Sequence, residues 1–192
     1  MNVLILDGGP RDVRGAACRK IAAAAAAEAR LKGHAVTAFE LDALDIKPCR
    51  GCFACWLKHP GTCALKDDQE PVLRAMAASD VQVWITPVTF GGYSPALKKA
   101  LDRFIPNILP FFTVRHAEVH HPPRYEKRRG LIVLGTLPAA DLESERIFHE
   151  LVGRNALNLD SVLTESRVVH DGEEGGIAGR LKGLLQTAEE AI

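Results

Sequence analysis

Four of the five cysteines lie close together, in the order Cys49, Cys52, Cys55 and Cys63. The pattern is C-x2-C-x2-C-x7-C, and four thiolates on one loop match the ligand set of a [4Fe–4S] cluster or of a tetrahedral zinc ion. The compact spacing of the first three cysteines favours the cluster over zinc. A third interpretation remains open, in which the thiols are free or partly oxidised and pack near a cofactor or a subunit interface. We assign the fifth cysteine, Cys18, to the core as a small apolar side chain.

A glycine- and arginine-containing segment, residues 7–15 (DGGPRDVRG), joins a predicted strand to a predicted helix. Backbone N–H groups at a helix N-terminus bind anions, and Arg11 and Arg14 add charge-assisted donors, so this segment is a candidate phosphate site. It lacks both the Gly-Lys-Ser/Thr of a Walker loop and the GxGxxG dinucleotide fingerprint. The alternative is a polar turn with solvated arginines.

A second glycine-containing segment, residues 86–94 (TPVTFGGYS), follows the most apolar predicted strand. Ser94 is placed as the N-cap and Pro95 as the first residue of the next helix. We expect the exposed N–H groups of this loop to bind the rim of a planar heteroaromatic ring, with Phe90 and Tyr93 alongside. The alternative is a capped turn with two core aromatic residues.

A histidine-containing segment carries His116, His120 and His121. These side chains admit a metal site or a general acid, but their spacing supports neither strongly, and simple packing against a ligand or a neighbouring subunit is the main alternative. Phe111 and Phe112, just before them, are candidates for a substrate pocket or a dimer contact.

The elements that must position these residues alternate between short apolar runs and longer helical patterns, which is typical of βαβ units on a parallel sheet. The predicted strands are 3–7, 35–41, 81–88, 130–135 and 162–169. The predicted helices are 16–32, 68–78, 95–105, 141–157 and 177–192. We predict one α/β domain, residues 1–192, with long loops at 42–67 (cysteine-rich) and 106–129 (histidine-rich). Ligands of such sheets bind beyond the carboxyl ends of the strands.

The composition excludes several classes of protein. Lysine and arginine total 24, as do aspartate and glutamate, so the formal net charge is zero and no nucleic-acid partner is expected. The most apolar window is a short alanine run, which predicts no membrane segment. The N-terminus does not read as a secretory signal, and the expected location is cytoplasmic.

Several of these segments together resemble the NADPH-dependent FMN reductase family, which includes iron–sulfur flavoproteins and multimeric NAD(P)H:quinone oxidoreductases. The resemblance is carried by GGPR after the first strand, TPVTFGGYSPALK after the third, LDR at 101–103, the cysteine segment 49–63 with KDD at 66–68, and HHPPRY at 120–125. It extends over nearly the whole chain. It implies a flavodoxin-like three-layer sandwich, in which a five-stranded parallel sheet of order 2-1-3-4-5 carries helices on both faces.

The resemblance also implies where a flavin binds, with the FMN phosphate in the first loop and the isoalloxazine ring against the third-strand loop. The implied cofactor-binding residues are Gly9, Pro10, Arg11, Ala16, Ala17, Pro87, Val88, Thr89, Phe90, Gly91 and Gly135. The chain departs from the family where Gly15 and Ala16 replace hydroxyl-bearing or amide residues, and where Thr89 replaces a common tyrosine. Each lost charged hydrogen bond costs about 1.5–3 kcal/mol, which predicts weak FMN binding unless an arginine compensates.

The resemblance therefore implies an FMN-dependent oxidoreductase, with NAD(P)H as co-substrate and a quinone, flavin or nitroaromatic compound as electron acceptor. No catalytic side chain is expected, because the cofactor carries the chemistry. One alternative is an iron–sulfur electron carrier with a [4Fe–4S] cluster on Cys49, Cys52, Cys55 and Cys63 and a redox protein partner. Another is a thiol- or flavin-sensing module without tight FMN. We expect a homodimer or homotetramer.

Overall fold

The computed structural model describes residues 1–127 and 129–192. It contains seven strands: β1 (Asn2–Asp7), β2 (Ala35–Glu40), β3 (Val81–Pro87), β4 (Thr113–Arg115), β5 (Glu118–His120), β6 (Arg129–Leu137) and β7 (Ser161–His170). Six α-helices accompany them: α1 (Ala16–Leu31), α2 (Ala54–Leu57), α3 (Gln69–Ala78), α4 (Pro95–Asp102), α5 (Leu142–Leu159) and α6 (Ile177–Ala191).

The main sheet is parallel and has the order β2-β1-β3-β6-β7. Counting only these five strands, the order is 2-1-3-4-5, so the predicted flavodoxin-like architecture is confirmed. The strand order reverses beside β1 and β3, and a crevice for ligands therefore opens outside their carboxyl ends.

Alternate residues of each strand pack on opposite faces of the sheet. Val3 and Ile5 of β1 join the core formed with α1 and α6, whereas Leu4 and Leu6 join the core formed with α3, α4 and α5. This division follows from the two-residue period of a strand. Because β3 lies in the centre, both of its faces are covered, as its apolar sequence predicts.

Helix α1 shows why an alanine-rich helix suits this position. Ala25 and Ala29 are at most 1% exposed, and they belong to the same core as the inward residues of β1 and β3. Small side chains let a helix approach the sheet closely, and alanine also has the best helix propensity. Cys18, on the same helix, is fully buried, which confirms its assignment to the core.

Both long predicted loops contain structure that the periodicity did not predict. The segment 42–67 holds the one-turn helix α2, and the segment 106–129 holds the antiparallel hairpin β4–β5. Within the described residues, no helix is long and apolar enough to cross a lipid bilayer.

Candidate functional site

The loops that follow β1 and β3 border a groove of about 390 Å³ at the carboxyl edge of the sheet. Its lining includes Pro10 and Arg14 from the first loop, Pro87 and Thr89 from the second, and Asp42 from the segment after β2. A smaller cavity of about 220 Å³, lined by Asp7, Gly9, Arg11, Arg19 and Glu40, lies beside the first loop. The two loops predicted to bind a ligand therefore do meet.

Ser94 ties the two loops together. Its hydroxyl donates to the carbonyl of Gly8 at 2.6 Å and accepts from the N–H of Leu97 at 3.3 Å, which confirms the predicted N-cap of α4. A Cβ atom at Gly8 would lie 2.8 Å from both Leu97 Cβ and Ser94 Oγ. The groove wall is thus close-packed, and only glycine fits at position 8.

The loop after β3 ends in a tight turn over residues 89–92. Thr89 donates to Gly92 at 3.0 Å, Gly92 donates back at 2.8 Å, and both central residues have positive φ, 49° for Phe90 and 75° for Gly91. Among the described residues, none accepts from the N–H groups of Phe90 and Gly91. Phe90 is exposed, so its N–H group is available to a ligand at the edge of the sheet, whereas Gly91 is buried beside Ile147.

The two aromatic residues of this loop differ in their exposure to solvent. Phe90 is 96% exposed, whereas Tyr93 is buried and packs edge-on against Trp84 and Phe148. Burial raises the pKa of Tyr93, whose hydroxyl accepts from Asn155. Tyr93 is therefore a core residue, and only Phe90 remains free to cover a ring.

The loop after β1 differs from an open anion site, because carboxylates already accept from three of its N–H groups. Asp7 accepts from Gly9 at 2.8 Å, Asp12 from Arg14 at 2.9 Å, and Asp42 from Arg11 at 3.1 Å. Asp12 is the N-cap of the single 3-10 turn that leads into α1. A carboxylate thus occupies the position at the helix start that favours an anion.

Two of the arginines at this loop, Arg14 and Arg19, are engaged, whereas the Arg11 guanidinium has no partner among the described residues and lines the smaller cavity. Both carboxylate oxygens of Asp12 accept from the Arg14 guanidinium, and this pairing lowers the pKa of Asp12, so Asp12 is ionised. Arg19 donates to the carbonyls of Pro10 at 2.8 Å and Asp12 at 2.9 Å. Beside them, burial raises the pKa of Asp7 to about 6, the N–H of Gly9 opposes that shift, and the charge of Glu40 adds to it.

The two ends of the site therefore fit the implied flavin differently. The free N–H group of the exposed Phe90 and the groove beside Pro87 and Thr89 suit a planar ring with acceptor atoms on its rim. The first loop suits a dianionic phosphate less well, because carboxylates accept from three of its N–H groups and Asp12 holds Arg14, which leaves the Arg11 guanidinium as an unpaired cation in the smaller cavity. The loop after β3 therefore fits the ring of a flavin, whereas the loop after β1 fits its phosphate poorly.

The structure places the predicted cofactor-binding residues in five settings. Pro10, Pro87 and Thr89 line the larger groove, and Gly9 and Arg11 line the smaller cavity. Ala16 and Ala17 form the start of α1, and Phe90 and Gly91 form the tight turn. Val88 and Gly135 are buried against each other: a Cβ atom at Gly135 would lie 2.6 Å from Val88 Cγ2.

Sequence reasoning missed Asp42 and Ser94 as lining residues of the groove. Ser94 was assigned only as a helix cap, and Asp42 only as the first residue of a long loop. Neither role carries a local signal for a groove, since both residues reach it through contacts with residues far away in the sequence, Arg11 and Gly8.

The four clustered cysteines line a single small cavity of about 30 Å³. Cys49 and Cys52 are exposed, Cys63 is partly exposed, and Cys55 is buried. Burial and then the neighbouring Cys63 raise the pKa of Cys55. Within residues 1–127 and 129–192, no three histidine, cysteine, aspartate or glutamate side chains are grouped closely enough to hold a metal ion. The donors have the right chemistry for a cluster, but in this arrangement they do not converge on one.

The histidines of the second long segment are engaged in packing. His120 is buried, with Nδ1 3.0 Å from Asn158 Oδ1, and His121 Nδ1 lies 2.9 Å from the carbonyl of Phe111. The His121 ring also contacts Trp56 and Phe112, so it joins the cysteine segment to the hairpin. These contacts favour the packing interpretation over a metal site or a general acid.

Comparison with known proteins gives a family match over residues 1–121, to the NADPH-dependent FMN reductase model. An iron–sulfur flavoprotein of Archaeoglobus fulgidus is 40% identical over 78 residues, which are 41% of this chain and 37% of that protein. An iron–sulfur flavoprotein of Methanocaldococcus jannaschii is 39% identical over 62 residues, 32% of this chain and 31% of that protein. The matches thus span about a third of these curated relatives' own lengths.

Among solved structures, an NAD(P)H:quinone oxidoreductase from Methanothermobacter marburgensis is similar, with a TM-score of 0.72 and 15% sequence identity. The superposition covers 98% of this chain and 96% of that one. At this level of identity the likeness establishes the fold.

Proposed function

Because the chain belongs to the NADPH-dependent FMN reductase family, we propose that it is an FMN-dependent oxidoreductase that passes electrons from NAD(P)H to a small acceptor. The acceptor class is a quinone, a free flavin or a nitroaromatic compound. The observation that carries the proposal is the groove between the loops after β1 and β3, lined by Thr89, with the free N–H group of the exposed Phe90 directly after Thr89 in the chain. We infer a single domain for the whole chain.

The residues of the chain have defined tasks in this proposal. A bound flavin supplies hydride and electron transfer. The N–H group of Phe90 would donate to an acceptor atom on the rim of the ring and would thereby orient the ring and favour negative charge on it. Pro87 and Thr89 form the apolar and polar parts of the wall behind it. No side chain acts as nucleophile or base, so the residues of this site bind and orient.

The test is NAD(P)H consumption by the purified protein, with FMN and a quinone supplied. The rate should depend on both additions. Thr89→Trp, which fills the groove from an exposed position, should abolish flavin-dependent turnover. Thr187→Trp, on the exposed outer side of α6, is the matched control and should leave the rate unchanged. Turnover that survives Thr89→Trp at the wild-type rate would contradict this location of the site.

A second function rests on Cys49, Cys52, Cys55 and Cys63, which all line the same cavity, although they do not converge on one metal position in this arrangement. We propose, as the alternative, an iron–sulfur flavoprotein that carries electrons to or from a redox protein partner; both curated relatives are named iron–sulfur flavoproteins. Iron analysis of protein purified without oxygen tests it. About four irons per chain, lost in Cys52→Ala, would support this alternative.

We further propose that the chain forms a homodimer or homotetramer. Phe111, Phe112, Val114 and Val119 are all at least 65% exposed, and they lie in or beside the β4–β5 hairpin. Exposed apolar patches of this kind commonly mark protein interfaces. Light scattering of Val114→Asp should show a smaller particle than wild type, whereas an unchanged mass would remove the hairpin from the interface.

A further inference from the structure

In the loop after β1, the carboxylate of Asp12 uses the donors that a bound anion would need. Asp12 accepts from the N–H of Arg14 at the start of the helical turn and holds the guanidinium of the same residue, so that one carboxylate takes both a backbone donor and a cationic donor. These are the two kinds of group that a phosphate needs. Arg14 also lines the groove, so its charge is neutralised at the place where a ligand's phosphate would need it.

Most of the other backbone donors of this loop are used as well. The Arg11 guanidinium has no partner among the described residues, but it lines the smaller cavity beside the carboxylates of Asp7 and Glu40 and does not line the groove. The N–H groups of Gly8, Gly9 and Arg11 donate to Ile85, Asp7 and Asp42, and Gly15 donates to the carbonyl of Asp12. Within the described loop 8–15, only the N–H groups of Asp12 and Val13 have no acceptor. Both belong to the turn that Asp12 already caps. A phosphate binding there would place a second anion beside the ionised Asp12.

Contacts from helix α1 also hold the loop in this conformation. Arg19 donates to two of its carbonyls, those of Pro10 and Asp12. At Gly15, a Cβ atom would lie 1.8 Å from the Pro10 carbonyl oxygen, so the two ends of the loop are in direct contact. The Asp12 carboxylate is therefore part of a closed loop, and its side chain is 47% exposed at the surface of that loop.

We propose that Asp12 is a specificity-determining residue that makes this site indifferent to the flavin's phosphate, so that riboflavin and FMN bind with similar affinity and exchange freely. The ligand class is the isoalloxazine ring with its ribityl chain. This inference rests on the proposed function. It adds that the flavin behaves as a dissociable ligand, held through its ring at Pro87 and Thr89 in the groove and at the neighbouring Phe90.

The experiment is a fluorescence titration of the flavin-free full-length protein with riboflavin and with FMN. A phosphate held by even one charged hydrogen bond would favour FMN by about 10- to 100-fold. We expect the two dissociation constants to agree within about 5-fold, well inside that range. We also expect inorganic phosphate not to compete with FMN.

The decisive variant is Asp12→Ser, which keeps a cap for the Arg14 N–H but removes the charge and frees the guanidinium. It should tighten FMN binding by about 10-fold or more and leave riboflavin binding unchanged. Asp141→Ser is the matched control, because Asp141 caps α5 in the same way and lines neither cavity. It should change neither affinity.

Three results overturn the inference in distinguishable ways. Wild-type protein that binds FMN at least about 10-fold more tightly than riboflavin removes the inference and leaves the proposed function standing. Equal wild-type affinities with no gain of FMN affinity in Asp12→Ser remove the role of Asp12. Wild-type protein that binds neither flavin removes the proposed function, and the inference with it.

Discussion

Arg103 and Asp67 form an ion pair beneath the cysteine segment, and neither side chain is more than 1% exposed. Arg103 also donates to Cys63 Sγ at 3.2 Å, and Asp67 accepts from the N–H groups of Lys47 and Gln69 at 3.0 and 3.2 Å. Burial opposes ionisation of Asp67, but these donors outweigh it and hold its pKa below the usual value. The pair joins α4 to both ends of the segment that carries the four cysteines.

Breaking this pair should be costly. Asp67→Ala leaves the Arg103 charge buried without its partner, which we expect to lower the free energy of unfolding by about 3–5 kcal/mol. Asp102→Ala removes one partner of the exposed Lys98–Asp102 pair and is the control, with an expected effect of about 0–1 kcal/mol. Urea denaturation measures both. Equal losses in the two variants would contradict a structural role for the buried pair.

Asp7 should make the protein less stable as the pH rises. Its pKa is about 6 in the folded protein against 3.8 as the reference value, so between these values the folded state binds more protons than the unfolded state. Stability from this group therefore falls across that window. Denaturation at pH values on either side of it should show a smaller fall in Asp7→Asn than in wild type. An identical pH dependence would show that Asp7 titrates normally.

The cysteines should react in the order of their exposure. Cys49 and Cys52 are exposed, whereas Cys18 is fully buried and burial raises its pKa to about 11. Iodoacetamide needs an accessible thiolate, so the native protein should be labelled first at Cys49 and Cys52 and not at Cys18. Mass spectrometry of the native and the denatured protein measures this. Early labelling of Cys18 would contradict its placement in the core.

Gly135 should tolerate no side chain. In Gly135→Ala, the added Cβ atom would lie 2.6 Å from Val88 Cγ2 and 3.0 Å from Phe148 Cζ. Such overpacking typically lowers the free energy of unfolding by about 1–3 kcal/mol. Gly153→Ala is the control, because Gly153 is a helical glycine with open space around it, and this change should stabilise the protein by about 0.5–1 kcal/mol. The midpoint temperature of thermal denaturation should fall in Gly135→Ala and rise in Gly153→Ala. A shift of the same sign in both would contradict the packing at Gly135.

The main sheet could be predicted from the periodicity of the sequence, because the residue types within each strand and helix determine where these elements form. The third strand, predicted at 81–88, ends at Pro87, and α1 begins at Ala16 as predicted. The β-branched and apolar residues of the buried strands favour strand, and the alanines of α1 favour helix, so both are recognisable from short stretches of sequence. The cap at Ser94 is equally local, since serine before proline at a helix start is a recurring signal.

The hairpin β4–β5 was not predicted because its turn lacks the usual residues. His116 and Ala117 both have positive φ, 48° and 61°, where asparagine and glycine are preferred. The strands on either side are three residues each, too short for a two-residue alternation to be recognised. Helix α2 is similarly short, and it follows Phe53, another residue with positive φ.

The candidate site could be located from the sequence, but its electrostatics could not. Both loops of the groove carry glycines next to predicted strand ends, and that signal is local. The contact from Arg11 to Asp42 joins residues 31 apart in the chain, and no pattern within the first loop reveals it. The sequence presents Arg14 as a free phosphate donor, and only the folded loop shows that Asp12 already holds it.

The most direct test of the account is the visible absorption spectrum, with iron analysis, of protein purified without oxygen, recorded before and after FMN is added and again after NADPH. The account predicts a two-banded flavin spectrum that changes when FMN binds, loses its absorption on addition of NADPH, and comes without iron. A spectrum of added FMN identical to that of free FMN, with no loss of absorption on addition of NADPH or NADH, would contradict it.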